Sequence, residues 1–552
     1  MNQQLIECVP NFSEGQDLSI IKLITDEIES VAGVRLLDVD PGKATNRTVV
    51  TFVGTPDAVI EAAFLAIKKA GELIDMSKHT GEHPRMGATD VCPLIPIANI
   101  SMEETAEYAK KLGARVGNET GIPVYLYEAA QDNPARKNLS VIRAGEYEGF
   151  FKKIKTAEWK PDFGPDELPV KSGATVIGAR DFLVAYNVNL NTTSVRRANA
   201  IAFDVREAGR KVKNEKGEEV VQPGTLKAVK AIGWFIKEYG IAQVSINLTN
   251  INITPLHIAF DECVKSAAAR GMRVTGSELV GLIPLKAMLD AGKYFLKKQK
   301  RSAGVAEEEL IHIAVKSLGL DELAPFDPHK KIIEYLLRDD QQSRLVNMNL
   351  RAFANETASE SPAPGGGSVA AYMGSLGISL ASMVANLSSH KKGFDERWET
   401  FSGYAEKGQL IKDELLRLVD EDTAAFNRIM ESFALAKNTD EEKKLRSAAI
   451  QDATKNAIEV PLRVMQCSSD AFEVIEAMVK TGNPNSVTDA GVGALAVRSA
   501  ILGAYLNVKV NATGLKDEAM KAAFLKRADE LKNKAVIKEK EIFSMVEDRI
   551  VN

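Results

Sequence analysis

Apolar and polar positions change their period part-way along the chain. Up to about residue 290, short runs rich in β-branched and aromatic residues alternate with stretches whose apolar positions recur every three to four residues, the pattern of strands alternating with amphipathic helices. Arg35–Val39, Val49–Val53, Val124–Tyr127, Phe182–Leu190 and Gln243–Leu248 predict strands. Two Thr-Pro pairs, Thr55-Pro56 and Thr254-Pro255, each follow a strand and predict helix starts, the threonine capping and the proline sitting where its missing N–H costs nothing. Ser101 and Glu104 have capping-box spacing before a further amphipathic run. The paired Thr-Pro starts point to two similar subdomains. From Ile332 onward long stretches such as 408–437 keep a 3.6-residue period, so the remainder reads as all helix. The expected architecture is an α/β (α+β) region of two similar subdomains, 1–178 and 179–325, a charged, proline-bearing linker at 326–345, and an all-α domain at 346–552.

The stretch from Val369 to Leu387 carries no charge and nearly reaches the length of a membrane span. Tyr372, Ser375, Ser379, Ser382 and Asn386 interrupt it, which favours a buried helix of small residues and no membrane partner. The chain has 552 residues, too many for one core. Lys and Arg total 70 against 75 Asp and Glu, a net charge of −5 that argues against a nucleic-acid partner. Cys8, Cys92, Cys263 and Cys467 form no C-x-x-C pair, and the N-terminus lacks a secretory pattern, so a reducing, cytoplasmic location is expected.

Candidate chemistry concentrates in four strings. His79-Thr-Gly-Glu-His83-Pro-Arg85 contains H-x-x-E-H, a zinc pattern that needs both histidines on one helical face. Gly81 and Pro84 oppose that helix, so no metal is expected. The string reads instead as a rigid loop aiming a histidine, an acid and an arginine together, suited to acid/base work on an anionic substrate. Asp38-Val-Asp40-Pro-Gly42 ends a strand in a turn. Gly365, Gly366, Gly367 and Ser368 lead into the uncharged helix, where glycines let backbone N–H groups approach an anion. Asp420 and Asp422 flank Glu421 near an apolar stripe, where a carboxyl can carry a proton at neutral pH; spacing leaves the choice between them open.

Long strings in the chain resemble the formimidoyltransferase-cyclodeaminase family of histidine breakdown: ECVPNFSEG (7–15), LLDVDPG (36–42), GEHPRMGATDVCPLIP (81–96), PDFGP (161–165), APGGGSVAA (363–371), LVDEDTAAF (418–426) and DAGVGALAVRSA (489–500). The resemblance implies two reactions. A formimino group passes between N-formimino-L-glutamate and tetrahydrofolate, and 5-formiminotetrahydrofolate then cyclises to 5,10-methenyltetrahydrofolate with loss of ammonia. It places the transferase acid/base on His83, a site acid on Asp40, and folate contacts on 164–173, with Gly164, Pro165 and Gly173 as named positions. It places the cyclodeaminase acid on Asp422 and folate at Gly365–Ser368. Residues 166–171 (DELPVK) depart from the more apolar-aromatic family pattern. Arg85 is a candidate for substrate binding; which of Arg47, Arg85 and Arg143 clamps the substrate carboxylates is left open by the sequence. Tetrahydrofolate enters as a co-substrate, its polyglutamate tail held on Lys152, Lys153, Lys155, Lys391 or Lys392, and the helical domain is expected to form a homo-oligomer. The competing readings are a formyl donor, a helical domain acting as a methenyltetrahydrofolate cyclohydrolase, and a helical domain that only oligomerises.

Overall fold

The computed structural model describes residues 4–43, 45–81, 83–337 and 345–551. The chain divides into two compact units, Met1–Ala287 with Leu318–Leu336, and Met288–Ser317 with Leu337–Asn552.

The first unit begins with β1 (Leu5–Cys8), β2 (Asn11–Phe12), α1 (Leu18–Glu29), β3 (Val34–Gly42), β4 (Arg47–Gly54), α2 (Pro56–Leu73), β5 (Thr89–Ala98), α3 (Met102–Thr120), β6 (Val124–Glu128), α4 (Leu139–Arg143), α5 (Glu146–Lys153) and β7 (Thr175–Ala179). It continues with β8 (Val184–Leu190), α6 (Val195–Val205), the hairpin β9 (Arg210–Lys213) and β10 (Glu219–Gln222), β11 (Val229–Ile236), β12 (Ile241–Leu248), α7 (Leu256–Ala268) and β13 (Val274–Val280). Two sheets result. The first contains the antiparallel order β3-β4-β1-β5, extended beyond β5 by parallel β7 and β6. The second is the antiparallel order β11-β12-β8-β13. Each therefore repeats one β-α-β-β-α-β motif with the same strand order, a ferredoxin-like arrangement. Helices pack on one face of each sheet, against residues such as Ile6, Phe52 and Leu94 in the first and Tyr186, Val188 and Val244 in the second.

The capping box at Ser101 is present with both of its bonds. The other two caps differ from expectation. Thr55 precedes α2 without a side-chain bond to the helix. Thr254 donates its hydroxyl to the Lys227 carbonyl at 2.6 Å, leaving Pro255 in the cap position.

Of the expected linker at 326–345, residues 338–344 lie outside the described residues. The helical turns α10 (Pro328–Lys331) and α11 (Ile333–Leu337) follow α8 (Leu285–Lys298) and α9 (Glu307–Leu318) in the chain. Residues around Ile332 are not a free linker: Ile283 and Ile333 exchange backbone bonds with Lys331 and Ile283, and Glu334 accepts from the Leu285 N–H at 2.6 Å. By their packing, residues 288–317 group with the helical unit. The loop joining α8 to α9 is the reason. Ala303 donates its N–H to Ser402 Oγ at 3.0 Å, and the Gly304 carbonyl accepts from Asn386 at 2.8 Å and Gln409 at 3.1 Å. A Cβ on Gly304 would overlap Ala405, so only glycine fits there.

The helical unit continues through α12 (Leu350–Thr357), α13 (Gly366–Ser389), α14 (Trp398–Ala434), α15 (Asp440–Thr481), α16 (Val487–Ala512) and α17 (Glu518–Val551). α13 is the central helix, packed on α14, α15 and α16. Its small residues allow this: a Cβ on Gly377 would press on the Gly493 backbone of α16. Ser382 and Ser388 stay buried because they return their hydroxyls to carbonyls four residues back, as does the half-buried Ser379. By length and composition, Gly366–Ser389 and Pro484–Ala512 could each cross a membrane; 61% and 44% of their apolar windows are buried within the protein.

Candidate active sites

The loop between α2 and β5 holds the two histidines in different environments; Glu82, between them, lies outside the described residues. His79 has both ring nitrogens committed: Nε2 to the Asn46 carbonyl at 2.9 Å and Nδ1 to Arg85 Nε at 3.3 Å. His83 is half-buried and donates Nδ1–H to the Pro84 carbonyl at 2.7 Å, since a carbonyl can only accept. That bond fixes the tautomer and leaves Nε2 as a base with no partner among the described residues. Burial, followed by the positive charges of Arg47 and Arg143, lowers the His83 pKa to about 4, so the ring is neutral at pH 7.

The three candidate arginines separate by their partners. Arg85 is spent internally: Nη1 binds Glu146 and Glu148, Nη2 binds Glu148 and the His79 carbonyl, and Nε binds His79. All five N–H donors are engaged, and in this arrangement Arg85 braces the loop. Arg47 and Arg143 converge on Asp90, which is 0% exposed, at 2.5 and 2.6 Å to the same oxygen. Burial alone would raise the Asp90 pKa, but the two guanidiniums outweigh it and hold the carboxyl below its ordinary range. Two cations on one carboxylate leave one positive charge in excess beside His83.

Gly15, Asn46 and Gly81 draw the surrounding strings together. Asn46 accepts from the Gly15 N–H at 3.0 Å and donates to the Thr80 carbonyl at 2.8 Å, and a Cβ on Gly81 would overlap the Thr45 carbonyl. Gly173, at φ +65°, forms a bridge with Gly87 and lies against the Met86 carbonyl, so that end of the 164–173 segment abuts the loop. Gly164, at φ +84°, packs on Ile122 and Gly117 instead, and Pro165 is exposed. Backbone packing alone explains both glycines. Asp40 lies on β3 opposite Val49; no hydrogen bond or ion pair joins it to His83 among the described residues.

In the helical unit the two aspartates of α14 also part company. Asp420 accepts from the Leu345 N–H at 2.8 Å and the Val346 N–H at 3.4 Å, which ties down the chain before α12. Asp422 meets the start of α13, where Ser368 gives it a backbone N–H and a hydroxyl at 3.1 Å. A Cβ on Gly367 would overlap the Asp422 carboxylate, so the glycine permits the approach. Burial raises the pKa of Asp422 above the ordinary carboxylate value, and the Ser368 bonds only partly offset this. Gly367 and Ser368 thus meet Asp422, while Gly366 lies near Asn507 and Gly365 caps the helix without a side chain.

Comparison with known proteins covers both units. The N-terminal subdomain of the formiminotransferase domain matches residues 5–180, the formiminotransferase domain matches 185–338, and formiminotransferase-cyclodeaminase matches 349–530. A formimidoyltransferase-cyclodeaminase of Mus musculus is 45% identical over 519 residues, covering 94% of each chain. The chain belongs to the formimidoyltransferase-cyclodeaminase family. A glutamate formimidoyltransferase of Thermoplasma acidophilum is 44% identical over 295 residues, 53% of this chain and 92% of its own. A methenyltetrahydrofolate cyclohydrolase of Methylorubrum extorquens is 36% identical over 204 residues, 37% of this chain and 98% of its own.

Within this formimidoyltransferase-cyclodeaminase chain, His83 lies in the first matched region and Asp422 in the last. Sequence reasoning missed Asp90 as an organising charge. The available signal was an acid at the entry to the apolar run of β5, where a buried carboxylate requires cationic partners.

Proposed function

We propose that the α/β unit transfers the formimino group of N-formimino-L-glutamate to tetrahydrofolate, and that the helical unit cyclises 5-formiminotetrahydrofolate to 5,10-methenyltetrahydrofolate. In the transfer, N5 of tetrahydrofolate attacks the formimino carbon while His83 Nε2 accepts the N5 proton. His83 then returns a proton to the glutamate nitrogen as its bond to carbon breaks. The excess charge of Arg47 and Arg143 over Asp90 suits the substrate's carboxylates. The observation that carries this half is the open Nε2 of a neutral His83, beside a histidine whose nitrogens are both engaged.

In the cyclisation, folate N10 attacks the formimino carbon, Asp422 takes the N10 proton, and the carboxyl delivers a proton to the departing ammonia. A partly desolvated carboxyl suits both directions. Asp40, the 164–173 segment and the turn at Gly365–Ser368 belong to this reading as folate or substrate contacts. So do a cytoplasmic location and self-association through the helical unit. Exposed apolar residues support the latter: Leu376, Met383 and Leu387 on α13, and Val492, Leu495, Leu506 and Val510 on α16.

The likeness of the helical region to a cyclohydrolase favours one alternative, hydrolysis of methenyltetrahydrofolate. Incubating the protein with formiminoglutamate and tetrahydrofolate decides between them. The proposal expects one ammonia for each methenyltetrahydrofolate formed. Accumulation of 5-formiminotetrahydrofolate without ammonia, with hydrolysis of separately supplied methenyltetrahydrofolate, would overturn it.

A further inference from the structure

Lys153, one of the expected tail tethers, points inward. Its Nζ donates to the carbonyls of Val141, Ile142 and Ala144 at 3.0, 2.6 and 3.0 Å, using all three of its protons. The ammonium also lies 3.8 Å from the centre of the Trp159 ring and 5.0 Å from that of Phe150. Glu158 and Arg136 are the charged groups that face it, and burial pushes its pKa down to about 8. Satisfying carbonyls at the end of a five-residue helix does not require this: Val141 is exposed and water could cap the same groups.

What the three carbonyls bracket is Arg143. That side chain is 13% exposed and, among the described residues, makes a single bond through Nη2 to Asp90 at 2.6 Å and buries its Nε without a partner. With one ion pair and one orphaned donor, the guanidinium depends on its backbone as well as on Asp90 for its aim. We infer that Lys153 is a positioning residue of the transferase site, clamping the turn that directs Arg143 onto Asp90 beside His83. The effect on catalysis rests on the reading of His83 as the proton carrier; the geometric part does not.

The test uses the full chain with 13C-labelled histidine. His83→Ala assigns the His83 resonance, and its titration is followed by NMR. Losing Arg143 from the site removes a positive charge from the histidine, so Lys153→Met should move the titration upward, as should Arg143→Gln, and the double variant should move it no further than either alone. Lys153→Gln, which keeps two donors, should move it less and guards against a folding failure in the methionine variant. Transferase activity should fall roughly 10- to 100-fold, the cost of a small misplacement, while cyclisation of supplied 5-formiminotetrahydrofolate continues. An unmoved titration in both lysine variants, or additive shifts in the double variant, would overturn the inference. Retained transfer in His83→Ala would remove the catalytic reading and leave the NMR result standing.

Discussion

His79 and His83 lie in one loop, yet among the described residues only the second keeps an unbonded ring nitrogen, because Asn46 and Arg85 occupy the first. A base that must be neutral loses activity as pH falls through its pKa, so kcat/KM for transfer should hold across neutral pH and fall only near pH 4, where the buried ring takes its proton. An acid limb near 6.5, the ordinary histidine value, would show that His83 is not the titrating base. Glu7 makes a second prediction. Burial raises its pKa from 4.5 to about 7, with Arg180 opposing and Glu334 adding to the shift. The folded protein therefore keeps this proton longer than the unfolded chain, and the stability it contributes is full below 4.5 and lost as pH rises through about 7. Melting curves of Glu7→Gln should gain on the wild type across that window and keep a constant lead above it; a pH-independent difference would contradict this. The loop and its residue types were legible in the sequence. The choice of histidine was not, since it depends on Asn46, 33 residues away. The same holds for Asp422 over Asp420, which turns on Ser368 and Leu345.

Periodicity located the strands and the change to helix well, because alternation and the 3.6-residue repeat follow directly from burying one face. Reading the two Thr-Pro starts as a repeat found its counterpart in the shared order of β3-β4-β1-β5 and β11-β12-β8-β13. It failed where a distant group intervenes: the Thr254 hydroxyl is captured by Lys227. The α8–α9 loop bonds into the helical unit. That loop carries a prediction. A fragment spanning 285–552 should melt above one spanning 346–552, which loses the bonds to Ser402, Asn386 and Gln409. Three hydrogen bonds at about 1 kcal/mol each, with roughly 2–4 °C per kcal/mol in a domain of this size, put the difference at about 6 °C or more. Equal melting temperatures, measured by circular dichroism, would place α8 and α9 outside the helical fold.

For the whole molecule, α13 and α16 leave apolar residues in water, Leu506 at 66% exposure among them. The paired change Leu387→Glu and Leu506→Glu should shift sedimentation toward a smaller species; an unchanged profile would remove this face from the assembly. Neither helix contains His83, so transfer should persist in the smaller species. The central claim is that one chain holds two separable reactions, one depending on His83 and one on Asp422. The most direct measurement supplies formiminoglutamate and tetrahydrofolate to wild type, His83→Ala and Asp422→Asn, and follows 5-formiminotetrahydrofolate, methenyltetrahydrofolate and ammonia together. His83→Ala should slow transfer at least ~100-fold yet cyclise added 5-formiminotetrahydrofolate at the wild-type rate. Asp422→Asn, which keeps shape but cannot exchange the proton, should accumulate 5-formiminotetrahydrofolate and release no ammonia. Loss of both reactions in either variant, or ammonia release from Asp422→Asn, would contradict the account.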